Sequence, residues 1–144
     1  MGNDIFVWVE QFEGAAPGAS WEAMGAARNL AEGQGGRVVA CLFGDDRLEE
    51  LAQEAFSYGA DKVLLSRDAS LAEFRAEPYA ALLEQAVRDL EPETVLIPAT
   101  FRGRELGPAL AVKLETGCIA DCIELRAEDG QVVATRPIYA GKLM

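Results

Sequence analysis

Thr94-Val95-Leu96-Ile97-Pro98-Ala99-Thr100-Phe101-Arg102-Gly103-Arg104-Glu105-Leu106 is the stretch on which the fold turns. Its first four residues are apolar or β-branched and read as a buried strand, which Pro98 ends. A helix beginning near Arg104 then places Leu106, Leu110 and Leu114 on one face. A strand that runs straight into an amphipathic helix is the building unit of a parallel sheet, because only a crossover returns the chain to the starting edge.

Upstream the unit repeats. Ile5-Phe6-Val7-Trp8-Val9 is a continuous strand-like run. After a Gly/Ala/Pro loop, Gly14 to Ala19, Ser20 is placed to cap a helix through Trp21, Met24 and Leu30, and Gly33, Gly35 and Gly36 stop it. Arg37 to Phe43 does not alternate and reads as a strand buried on both faces. Asp46-Arg47-Leu48-Glu49 has the form of a capping box before Leu48, Leu51, Ala52, Ala55 and Phe56, with Gly59 set to end that helix in a left-handed turn. Lys62-Val63-Leu64-Leu65 is a short third strand, and Ser66 to Glu77 a polar loop with a turn of helix. Pro78 suits the first turn of a helix carrying Tyr79, Leu82, Leu83, Ala86, Val87 and Leu90, which Glu91-Pro92-Glu93 breaks.

Downstream of Gly117 the pattern changes. Cys118 to Leu125 and Gln131 to Arg136 are two β-runs around Ala127-Glu128-Asp129-Gly130, a hairpin signature. The expectation is a single α/β domain over 1–144: a three-layer α/β/α fold with a mostly parallel, right-handed doubly wound sheet, ending in an antiparallel β-ribbon.

Composition narrows the function. The chain has 144 residues, half of them apolar, a formal net charge of −11 and no histidine. At that length roughly 70% of the unfolded surface can be buried. No apolar run approaches the roughly 18 residues that span a bilayer, and Met1-Gly2-Asn3-Asp4 lacks a basic signal region, so a cytoplasmic protein with no membrane insertion is expected. The charge would repel nucleic acid. Without histidine there is no Ser-His-Asp triad, no Cys-His pair and no histidine-ligated zinc. Cys41, Cys118 and Cys122 form no Cys-x-x-Cys pair, and the odd count fits buried reduced thiols. No catalytic set emerges, and an enzyme is not expected.

Ligands of an open parallel sheet bind beyond the carboxyl ends of its strands. Three loops gather there: Glu10 to Ser20, Gly44 to Arg47 and Pro98 to Arg104. The last offers two arginines, Arg102 and Arg104, and the hydroxyl of Thr100 beside a helix N-terminus, where the dipole favours an anion. Against that, the arginines have many acidic neighbours to pair with. Neither G-x-x-x-x-G-K-[ST] nor G-x-G-x-x-G is present. The G-x2-G-x9-G-[ST] pattern of ATP-binding universal stress proteins is approached only by Gly107 and Gly117. Gly103 comes one residue too early and Cys118 stands where a hydroxyl is needed. Glu22, Glu49, Glu54, Asp45 and Asp46 read as solvated charges, Trp8 and Trp21 as packing residues, and Asp121 as a strand carboxylate that Arg136 could pair.

Four segments resemble one family. Gly59-Ala60-Asp61-Lys62-Val63, Gly103-Arg104-Glu105-Leu106-Gly107-Pro108, Thr116-Gly117-Cys118-Ile119-Ala120-Asp121-Cys122 and Thr135-Arg136-Pro137-Ile138-Tyr139-Ala140-Gly141 are similar, in order and spacing, to the N-terminal domain of electron transfer flavoprotein alpha subunits. The resemblance implies an adenine nucleotide alpha hydrolase-like fold in a heterodimer that takes electrons from acyl-CoA or other dehydrogenases. It implies FAD in the intact heterodimer, held by a C-terminal domain that this chain lacks, with AMP or a second FAD on the beta subunit and none on this chain alone. The chain would be the scaffold that docks the beta subunit, with Thr100, Arg102, Arg104 and Arg136 as its cofactor-proximal or interface contacts. Ala140-Gly141-Lys142 departs from the family's Gly-Gly-Asn. The alternative is a stand-alone adenine-nucleotide-binding domain of the universal stress protein type.

Overall fold

A computed structural model of the chain describes residues 4–115, 123–128 and 131–134. Four strands are parallel neighbours: β1 (Ile5–Trp8), β2 (Val38–Gly44), β3 (Lys62–Arg67) and β4 (Thr94–Ile97). They lie in the order β3-β2-β1-β4. Beyond β4 the backbones of β5 (Ile123–Glu128) and β6 (Gln131–Ala134) pair antiparallel, β5 with β4 and β6 with β5. Of the expected turn Ala127-Glu128-Asp129-Gly130, Ala127 and Glu128 instead continue β5, where Glu128 pairs with Gln131; Asp129 and Gly130 lie outside the described residues, as do Cys118, Asp121, Cys122 and Arg136.

Helices cover both faces of the sheet, as the unbroken apolar strands demand. Side chains of β1 alternate: Ile5 and Val7 join α1 (Gly18–Gln34) and α2 (Leu48–Ser57), while Phe6 and Trp8 join α3 (Ala76–Leu90) and α4 (Phe101–Leu114). The two cores differ in grain. The α1/α2 side packs small residues, Ala23, Ala27, Ala31, Ala40 and Ala55, around Met24 and Leu51. The α3/α4 side packs rings, with Phe43, Phe74 and Trp8 each against Tyr79 at centroid separations of 5.6, 5.0 and 6.1 Å.

Three helix starts differ from the sequence reading, each for a visible reason. Ser20 does not cap α1; Pro17 holds that position, and the buried Ser20 hydroxyl donates instead to the Glu10 carbonyl, 3.0 Å away. The capping box at Asp46 to Glu49 does not form. Arg47 takes the N-cap of α2 at φ +60, and Glu49 pairs with Arg67 across to β3. Finally, α4 starts at Phe101 rather than near Arg104, because Thr100 is its N-cap: the Thr100 hydroxyl accepts the Gly103 N–H at 3.0 Å.

Candidate functional site

From β1 the chain steps outward to β2 and β3, then returns to place β4 on the other side of β1. The gap between the carboxyl ends of β1 and β4 is therefore the point where the winding reverses, and such a crevice is where open α/β sheets bind ligands. The residues that fill it come from two loops far apart in sequence.

One loop follows β1. Phe12 and Ala15 exchange backbone hydrogen bonds of 2.9 and 3.1 Å around Glu13 (φ +53) and Gly14 (φ +85), a tight turn with both central residues left-handed. Gly14 is needed twice over, since a Cβ there would also lie 2.5 Å from the Cβ of Arg47. Gln11 pins the turn to the end of β2, donating to the Phe43 carbonyl at 2.9 Å and accepting the Gly14 N–H at 2.8 Å.

The other loop leads from β4 into α4. Gly103 sits so close beneath it that an added Cβ would lie 1.8 Å from the Pro98 carbonyl oxygen, so only glycine lets α4 begin here. The two loops meet at Glu10, whose residue is only 6% exposed. Its Oε1 accepts from the Thr100 hydroxyl at 2.5 Å and its Oε2 from Arg102 Nη1 at 3.3 Å. The half-exposed Arg102 guanidinium also lies over the Phe12 ring, 5.7 Å from its centroid. A carboxylate thus sits beside the start of α4, held between a hydroxyl and a guanidinium.

Of the four site residues expected from sequence, the structure brings Thr100 and Arg102 together. Arg104 falls one residue beyond Gly103 on α4 and is exposed. Arg136 lies outside the described residues. Glu10 is the residue that sequence reasoning missed. The available signal was its place directly after an unbroken apolar strand, where a charge must find a partner when the fold closes over it. Trp8 is core, while Trp21 stacks face to face on Tyr58 at 4.3 Å, on the outer side of α1 and α2.

Both carboxylate oxygens of Glu10 are engaged by side chains of the other loop. Cys41 is fully buried, and burial pushes its thiol up to about 12, so it stays protonated. Among the described residues no group of His, Cys, Asp or Glu is placed to hold a metal ion. Among them, too, no helix is long and apolar enough to cross a membrane.

Comparison with known proteins matches residues 5–144 to the electron transfer flavoprotein domain. The chain is 40% identical over 143 residues to Protein FixB of Azorhizobium caulinodans, an alignment covering 97% of the chain and 39% of that protein. It is 36% identical over 142 residues to the electron transfer flavoprotein subunit alpha of Bacillus subtilis, covering 99% and 43%. Against the acryloyl-CoA reductase electron transfer subunit beta of Anaerotignum propionicum it is 34% identical over 166 residues, covering 99% and 45%. The chain therefore spans less than half the length of these relatives.

Proposed function

Because the chain belongs to the electron transfer flavoprotein domain family, we propose that it is the alpha-subunit N-terminal domain of such a protein and acts by docking a beta subunit. The observation that carries this reading is the closed crevice. The place where this fold would bind a small ligand is spanned by Glu10, Thr100 and Arg102, while an apolar side chain stands exposed beside it. Phe101, the first residue of α4, is 87% exposed, and Val112 near the other end of the helix is also largely uncovered. An unpartnered phenylalanine at that level fits a protein contact better than a surface in water.

On this reading FAD is bound in the intact complex outside the described residues, and electrons pass from acyl-CoA or other dehydrogenases through that flavin. AMP or a second FAD would sit on the beta subunit. Arg104 and Arg136 are contacts at the interface or near the cofactor, and Arg102 reaches the same surface with its outer edge. Thr100 positions Glu10 from within. We place the complex in the cytoplasm. The stand-alone adenine-nucleotide reading is not favoured, since the family match runs over nearly the whole chain.

The test is to mix the full chain with a family beta subunit and FAD and follow size exclusion at protein and flavin wavelengths. Co-elution of the two chains supports the docking role, and Phe101→Glu should abolish it. A folded chain that never co-elutes with beta subunits sinks it.

A further inference from the structure

The crevice between β1 and β4 has the parts of an anion site: the carboxyl ends of two strands, a helix N-terminus, a hydroxyl and a guanidinium. In this chain the site already holds an anion, and that anion is part of the protein. We propose that Glu10 is a tethered carboxylate that closes the crevice to phosphate-bearing ligands, and that removing it turns the crevice into a phosphate site.

The geometry supports a plug rather than a chance surface pair. Glu10 is 6% exposed, so its charge is not one that solvent screens away. Its two carboxylate oxygens take the Thr100 hydroxyl and the Arg102 guanidinium separately, the two side-chain donors that a phosphate would use. Its backbone is held as well, through the buried hydroxyl of Ser20 on its carbonyl oxygen. The turn from Phe12 to Ala15 and the Gln11 clip to Phe43 keep the loop from swinging aside. A phosphate entering would bring a second negative group against the first, inside a chain whose formal charge is already −11. The donors themselves are sound: Gly103 lets the helix start within reach, and Thr100 is aligned by accepting the Gly103 N–H. What excludes the ligand is one side chain.

The inference rests on the same closed crevice as the docking reading, but its test reads ligand binding to this chain alone, so its failure is told apart from a failure of the beta-subunit contact. The full chain is titrated with inorganic phosphate and with ribose 5-phosphate at fixed ionic strength. Binding is read by calorimetry and by the midpoint of thermal unfolding, for the parent and for Glu10→Ser and Glu10→Gln. The parent should show no saturable binding. Glu10→Ser should bind both ligands saturably, at least about tenfold more tightly than the limit the parent sets, a difference of about 1.4 kcal/mol or more, and adding Arg102→Met should remove the gain. Glu10→Gln keeps the shape without the charge and gives a smaller gain, and it carries the test if the serine variant does not fold. The proposal is overturned if the parent binds phosphate as well as the variants do. It is equally overturned if variants with parent-like circular dichroism bind neither ligand.

Discussion

Asp4 and Glu10 flank β1 at its two ends, one 7% and the other 6% exposed, and each faces an arginine. Their partners differ in kind. Asp4 accepts the backbone N–H of Arg37 at 3.3 Å and its Nη2 at 3.0 Å, so it ties β1 to the start of β2. Asp61 does the same one strand further on, taking the Val38 N–H at 2.9 Å and Arg28 Nη1 at 3.0 Å. At the amino ends of the strands, then, carboxylates satisfy backbone donors and fix neighbouring strands in register. Glu10, at the carboxyl end, takes no backbone N–H among its described partners; it reaches side chains 90 and 92 residues away. The same residue class serves as a clip at one end of a parallel sheet and as a plug at the other, where the winding leaves a gap.

The largest effect expected is at the Glu10 end. Gly103→Ala would press a Cβ into the Pro98 carbonyl, which is backbone and cannot turn away. Unfolding should come about 3 kcal/mol more easily, through displacement of the α4 start. Chemical denaturation measures the loss. Hydrogen exchange should show it concentrated at the carboxyl ends of β1 and β4, with the amino ends protected as before. Uniform loss of protection would mean that the two ends are not separable.

Asp4→Asn comes next, and it probes the clip. Burial would raise the Asp4 pKa, but hydrogen bonds from the Arg37 side chain and backbone, together with its charge, outweigh this and hold it below the ordinary carboxylate value. A group lowered in the folded state stabilises fully above its unfolded pKa, about 3.9, and loses that contribution as pH falls through the folded value. The variant should be about 1.5 kcal/mol less stable at neutral pH, and the two stability curves should converge in acid, below about pH 4. Parallel curves down to pH 2 would show that the Asp4 charge contributes nothing.

How much of this contrast was legible in the sequence depends on the range of the interaction. The strands and the helices follow from local periodicity, as Val38 to Phe43 and the Leu48-Leu51-Ala55 row show, whereas the strand order that puts the reversal at β1 is set by long-range pairing. Thr100 and Arg102 stood out because they lie next to a strand end and a helix start. Glu10 did not, since its partners are on the far side of the chain and no spacing rule connects them. The caps failed for the same reason. Ser20 and Glu49 carry the right local chemistry, but each found a better partner across the fold, the Glu10 carbonyl and Arg67. Periodicity reports which face is buried; it does not report which polar groups meet when the loops close.

Third in size is Glu10→Gln. The amide can still accept from Thr100 but gives up the ion pair, and Arg102 is exposed enough to regain water. A loss of about 1 kcal/mol is expected, near 3 °C in the melting midpoint for a chain of this size. A loss well above that of Asp4→Asn would make Glu10 a clip like the others and erase the distinction between the ends.

The smallest effect separates the two functions of a clip. In Arg28→Met the guanidinium that joins Asp61 to the Gly59 carbonyl is removed, while Asp61 keeps its hydrogen bond to the Val38 N–H. If the backbone donor is what matters at the amino end, the arginine is an accessory. Its ion pair is partly exposed on both sides and screened by water and salt. The methionine keeps most of the apolar stem that Arg28 lays against Gly59, where its Cδ comes within 3.2 Å of the position of an added Cβ. Arg28→Met should therefore cost about 0.5 kcal/mol at low salt and less in 1 M salt. Asp61→Ala, which strips the Val38 N–H of its acceptor, should cost about twice that or more, with little dependence on salt. Equal losses for the two variants would show that the charge pair, not the backbone hydrogen bond, holds this end of the sheet.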